Sequence, residues 1–243
     1  MNVMDEFERF ERLVGEEAME RLAKARVAVF GVGGVGSYVV EALARSGVGA
    51  LDLIDSDEVS VSNINRQLIA LHSSVGQRKV DVAAARVRDI NPGCTVRTFD
   101  MFFLPENADV LNFADYDYCV DAVDTVSAKL EIVQRAQAAG AGVICAMGTG
   151  NKLDPSKLVV TDIYRTEVCP LAKVMRHECR KRGIEKLKVV YSTEEPIKAG
   201  NRDEDGRRGV PGSSAFVPPA AGILIASEVA RDLLSVRPVM TKA

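Results

Sequence analysis

The sequence predicts an α/β protein built on a Rossmann-like, doubly wound and mostly parallel sheet, with additional strands and helices at its C-terminal end. Three observations carry this expectation. Between residues 27 and 148, short apolar runs alternate with helical patterns, as βαβ units on a parallel sheet do. The first run, Val27 to Phe30, leads straight into Gly31, Gly33, Gly34 and Gly36, a G-x-G-x-x-G turn with one extra glycine. The second run, Ala50 to Ile54, ends on Asp55, 19 positions after Gly36, the distance at which a carboxylate meets a ribose bound on such a turn.

The elements follow in order. Residues 1–22 mix Phe7, Phe10, Leu13 and Val14 with many acids and with Arg9 and Arg12, which predicts a short amphipathic helical arm broken near Gly15. After the glycine turn, Val39, Val40, Leu43 and Ala44 share one helical face and Gly47 is a stop. Ser73 or Ser74 is the expected cap of a helix from about Val75 to Ile90, striped by Val80, Ala83, Ala84 and Val87, with Lys79 near its start. Thr95 to Phe102 reads as a third strand, and Pro105 opens a short helix. Tyr118 to Val123 reads as a fourth strand ending on Asp124, followed by a helix from about Ser127 to Ala139 and a fifth strand, Gly142 to Met147. Beyond these, Lys157 to Tyr164 and Leu187 to Ser192 read as strands flanking a basic helix, about Leu171 to Arg182. The stretch 194–212, rich in Gly, Pro and charge, is expected to be a mobile loop. Ala220 to Leu234 is the expected last helix, burying Ile223, Ile225 or Ala226, Val229 and Leu233. Residues 1–243 read as a single domain.

Composition narrows the class. The 243 residues are 47% hydrophobic and lack Trp, so Val, Ile, Leu and Ala are expected to fill the core. A net charge of −3 confines any nucleic-acid contact to a local patch. The N-terminal residues show no basic and apolar signal pattern, and the late apolar run Ala220 to Ala226 is too short to span a bilayer. The five cysteines are scattered without a C-x-x-C pair, which points to reduced thiols in a cytoplasmic protein and away from zinc.

The chemistry is expected where strands release their loops at one edge of the sheet. There the glycine turn and a helix N-terminus would cradle phosphates, with Asp55 on the ribose and Asp124 on a magnesium ion, since Mg²⁺ takes one or two carboxylates plus phosphate oxygens. Arg66 and Lys79 would neutralise a triphosphate, a need that ATP creates and a nicotinamide cofactor does not.

Together, Gly31-x-Gly33-Gly34-x-Gly36, Asp55-x-Asp57, Ser62-Asn63-x-x-Arg66-Gln67, Gly76-x-x-Lys79 and Asp121-x-x-Asp124 resemble the ubiquitin-activating-enzyme-like (ThiF/MoeB-like) adenylating superfamily. The resemblance implies Mg-ATP bound by Gly31, Gly33, Gly34, Gly36, Asp55, Asp57, Asn63, Arg66, Gln67, Lys79 and Asp124, and adenylation of a carboxylate. It also implies a homodimer in which Arg12, of the segment Glu8 to Arg12, reaches the neighbouring subunit's ATP. The family's Asp-Asn is Asp124-Thr125 here, and the two C-x-x-C zinc pairs and the catalytic-cysteine domain of the protein-activating members are missing. Pro170 to Lys173, Val190 to Glu194 and Gly212 to Pro218 are similar to the branch that cyclises the threonylcarbamoyl group of a tRNA adenosine beside the anticodon. That branch implies tRNA as substrate, with sulfur-transfer or cysteine-desulfurase-associated proteins as candidate partners.

RNA contact has support of its own in the sequence. From Lys173 to Lys188, seven Lys or Arg stand against Glu178 and Glu185, and Lys173, Arg176 and Arg180 share a helical face. Lys198, Arg202, Arg207 and Arg208 add charge, offset in part by Asp203, Glu204 and Asp205. Three other functions compete with the tRNA reading: an activator of a small ubiquitin-like sulfur carrier, a nicotinamide-dependent oxidoreductase, and a nucleotide sensor without turnover.

Overall fold

The computed structural model describes residues 6–197 and 211–234. Its centre is one seven-stranded sheet: β1 (Arg26–Phe30), β2 (Ala50–Ile54), β3 (Thr95–Phe99), β4 (Tyr118–Asp121), β5 (Gly142–Ala146), β6 (Leu158–Asp162) and β7 (Lys188–Ser192). The spatial order is β3-β2-β1-β4-β5-β7-β6, parallel throughout except for the antiparallel β6–β7 pair. The predicted doubly wound sheet with added C-terminal strands is therefore observed. Side chains alternate along the strands, so Val27 and Val29 join one core while Ala28 and Phe30 join another.

Helices cover both faces. On one side lie α2 (Glu16–Lys24), α3 (Gly36–Arg45), α4 (Lys79–Ile90) and α7 (Val217–Leu234). On the other lie α5 (Val126–Ala139), α6 (Pro170–Lys181) and the 3₁₀ segments Pro105–Val110 and Phe113–Asp115. The arm is α1 (Glu8–Val14), split from α2 by Gly15 at φ +86°.

Several expectations are corrected. α4 begins at Lys79 and not at Val75. Gly76 sits at φ +83°, its N–H donates to Val59 O, and Gln77 O accepts from Val59, so this stretch is a turn bridged to the preceding loop. β3 stops at Phe99 and β4 at Asp121. Asp124 thus lies in the loop beyond β4, and β2 and β4 flank β1. In α7, Ile225, Ala226 and Val229 are buried as expected, whereas Ile223 is exposed. Of the expected loop at 194–212, residues 198–210 lie outside the described residues, as do Lys198, Arg202, Asp203, Glu204, Asp205, Arg207 and Arg208. Its two described ends meet at Asn151: Ile197 N–H donates to Asn151 O, and Gly212 N–H donates to Asn151 Oδ1 at 2.7 Å.

Candidate active site

The strand order reverses between β1 and β4, and a cleft of about 640 Å³ opens outside the carboxyl ends of β1, β2, β4 and β5. An open α/β sheet binds its ligand at such a switch point. The glycine turn forms the floor. Gly31 has φ +87°, and a Cβ there would stand 2.7 Å from Ala122 O. A Cβ on Gly36, the first residue of α3, would collide with Gly31 O. Both positions therefore require glycine, and they bring the start of α3 under the cleft.

Asp55 follows β2 and is held from two sides: its Oδ2 accepts from Val32 N–H at 2.7 Å and its Oδ1 from Asp57 N–H at 2.8 Å. Lys79, the first residue of α4, donates to Asp57 Oδ2 at 2.6 Å and lies 3.9 Å from Asp55 Oδ1. Only 6% of its side chain is exposed, against 64% for Asp57. The structure thus buries this lysine beside the cleft.

Across the floor, Arg66 donates to Ser62 O and to Asn65 Oδ1, each at 2.9 Å. Asn63 is buried and accepts from Ser60 N–H, which shapes the 60–67 turn. Gln67 is buried beside Gly33, and its Oε1 has no hydrogen-bond partner. A buried orphan acceptor lining a cleft suits a ligand donor. Asp124 is exposed on the cleft wall.

Of the predicted binding residues, Gly31, Gly33, Gly34, Asp55, Asp57, Asn63, Arg66, Gln67, Lys79 and Asp124 all line this one cleft, while Gly36 supports it from beneath. Arg12 is not among the lining residues; it is exposed on α1 and pairs with Glu8. Lys173, Arg176 and Arg180 also lie outside the cleft, on α6. Arg176 is turned back onto Thr166, donating to its carbonyl at 2.7 Å and to its hydroxyl, and Arg180 lies 5.2 Å from the Tyr164 ring centroid. Of the three, Lys173 is the exposed cation with no such contact among the described residues.

The sequence reading did not assign three parts of the wall: Met101 to Phe103, Gly148 to Gly150, and Pro211 to Ser213. The small residues after β5 were a usable signal, because small residues at a strand exit let a ligand approach. All five cysteines are buried and free. Burial pushes the thiols of Cys94 and Cys179 up to about 11 and that of Cys119 up to about 12, which makes these three poor nucleophiles.

Among the described residues no three His, Cys, Asp or Glu side chains gather to hold a metal. Asp124 is an exposed carboxylate on the cleft wall, and one carboxylate with phosphate oxygens suits a hard cation such as Mg²⁺. No helix of the described residues is long and apolar enough to cross a membrane.

Fold and cleft together define a Rossmann-like nucleotide-binding protein with a site shaped for a polyphosphate. The chain belongs to the ThiF family, which matches residues 8–242. It is 43% identical to the tRNA threonylcarbamoyladenosine dehydratase of Bacillus subtilis (strain 168), over 96% of both chains. The Escherichia coli (strain K12) protein of the same name is 41% identical over 70% of this chain and 63% of its own length. The crystal structure of the E. coli tRNA N6-threonylcarbamoyladenosine dehydratase in complex with ATP superposes with a TM-score of 0.86 at 34% identity, covering 94% of this chain and 93% of that one.

Proposed function

We propose that this chain is an ATP-dependent tRNA-modifying enzyme that closes the threonylcarbamoyl group of a tRNA adenosine beside the anticodon into a ring. The observation that carries the reading is the 43% identity over 96% of both chains to a protein named for that activity, on a chain whose cleft holds the required groups. The substrate side chain ends in a carboxylate, which is a poor electrophile. Attack of that carboxylate on the α-phosphorus of ATP expels pyrophosphate and leaves a mixed anhydride. The neighbouring urea group then attacks the activated carbonyl, AMP leaves, and the net change in the base is loss of one water.

The chain's own groups position and neutralise. The glycine turn and the α3 N-terminus receive phosphates, Asp55 receives the ribose hydroxyls, and Arg66 and Lys79 offset phosphate charge, Lys79 by exchanging Asp57 for the nucleotide. Asp124 would hold Mg²⁺, which supplies charge neutralisation at the phosphates. The residues 1–243 act in this reading as one adenylating unit in the cytoplasm, with sulfur-transfer or cysteine-desulfurase-associated proteins as candidate partners.

Incubation of the protein with Mg-ATP and threonylcarbamoyl-modified tRNA should give a nucleoside lighter by one water, together with AMP and pyrophosphate. An unchanged nucleoside, with pyrophosphate exchange appearing only when a ubiquitin-like carrier is added, would replace this function by sulfur-carrier activation.

Arg12, exposed and away from its own chain's cleft, is assigned to the neighbouring subunit's site in a homodimer. Mixing inactive Arg12→Ala with inactive Lys79→Ala should restore activity, because one site of the mixed dimer keeps both residues. Subunit exchange without rescue would remove the assignment.

A further inference from the structure

Below the cleft lies a second Lys–Asp pair, which no ligand can touch. Lys129 and Asp121 are both 0% exposed. Lys129 Nζ donates to Asp121 Oδ2 at 2.9 Å and to Ala146 O at 2.8 Å. Asp121 is the last residue of β4 and Ala146 the last of β5. Lys129 belongs to the first turn of α5, and its own N–H donates to Thr125 O at 3.0 Å. One ammonium group therefore joins two strand ends and the start of a helix.

The other oxygen of Asp121 holds the turn that leads into the site. Asp121 Oδ1 accepts from Val123 N–H at 3.2 Å, folding the turn that carries Asp124. The same turn abuts the glycine loop, since Ala122 O is what leaves no room for a Cβ on Gly31. A buried ion pair is a weak source of net stability, because desolvating two charges offsets most of their attraction. The strands are already joined by their ladder, with Asp121 opposite Cys145. What the pair adds to that ladder is a fixed geometry for the loop above it.

We propose that Lys129, through Asp121, is a positioning residue for the adenylation site: it sets the turn that presents Asp124 to magnesium and the nucleotide. The inference rests on the reading of Asp124 given above.

The test uses Lys129→Met/Asp121→Asn, which removes both buried charges while keeping similar volumes, with Asp121→Asn alone as a milder variant should the pair fold poorly. Melting temperature is measured beside calorimetric ATP affinity with and without Mg²⁺. The double variant should melt close to wild type, yet its magnesium-dependent gain in ATP affinity should fall by about tenfold or more, as when a partner that orients a metal ligand is lost. Affinity without magnesium should stay within about twofold of wild type. In an Asp124→Ala background the same replacement should cost nothing further, because the two act through one group. Wild-type magnesium dependence in the double variant, or losses that add to those of Asp124→Ala, would overturn the proposal. An absent magnesium gain in wild type would overturn it together with the role of Asp124. Failure of the tRNA reaction, with these binding results intact, would remove only the tRNA function.

Discussion

Two lysines stand close to the switch point, each paired with an aspartate, and they differ in what surrounds the carboxylate. Lys79 is nearly buried, but its partner Asp57 is 64% exposed. Lys129 and Asp121 are both sealed from solvent. The Lys79–Asp57 pair can dissolve at smaller cost, because the released Asp57 carboxylate is rehydrated and Lys79 keeps Asp55 at 3.9 Å. A sealed pair cannot, because the group left behind is an unpaired buried charge. In the proposed function the first pair exchanges for a ligand, while the second stays.

That contrast can be broken most strongly at Lys129. Lys129→Met alone should destabilise the fold by about 3–5 kcal/mol, because it leaves the Asp121 carboxyl in the core without its cation; chemical denaturation reads this, and a loss below 1 kcal/mol would put water in that core. Asp124→Ala should lower turnover by on the order of 10²–10³ with an unchanged melting temperature, since the residue is exposed. Full activity of that variant at limiting magnesium would show that the metal is held elsewhere.

Asp57→Ala sharpens the comparison from the other side. Its stability cost should be about 0.2–1 kcal/mol, the range of solvent-screened pairs, and a cost as large as that of Lys129→Met would erase the distinction. The smallest effect is expected on α6. Lys173→Ala with Arg180→Ala should weaken tRNA binding and reduce its salt slope by about 1–2, as each lost phosphate contact removes a released counterion. ATP binding should not change. Arg176 is left in place there because its guanidinium also holds Thr166. A salt slope equal to that of wild type would take the helix out of the RNA site.

The features legible in the sequence are those whose spacing a βαβ unit fixes locally. The glycine turn, the helix that follows it and the position of Asp55 after β2 are legible because strand, turn and helix each occupy their own short string. Lys79 was placed correctly near a helix start, but the start itself was displaced by the Gly76 turn, whose left-handed backbone and bridge to Val59 leave little trace in hydrophobic periodicity. Val123 prolonged the apparent fourth strand, because apolar alternation does not register that Asp121 takes Val123 N–H for its own turn. The cleft walls at 148–150 and 211–213 meet through Asn151, whose N–H donates to Gly212 O, and no local pattern announces a contact between segments that far apart. Lys129 was hidden for a related reason. A lysine on an amphipathic helix is ordinarily solvated, and only the strand ends beneath it reveal its partner.

The seam between α7 and the glycine loop sets the order in which the site can come into being. A Cβ on Gly222 would strike Val35 O and Tyr38, and Pro218 packs 3.2 Å from the Cβ position of Gly34. A chain emerging from the ribosome thus carries its phosphate cradle early but lacks the wall behind it until residues near 222 have been made. Such distant contacts form late, since the intervening chain must first be ordered. In the proposed function, a nucleotide seated in this cleft therefore favours the chain with its seam docked, as a ligand that binds only the folded state stabilises it by mass action.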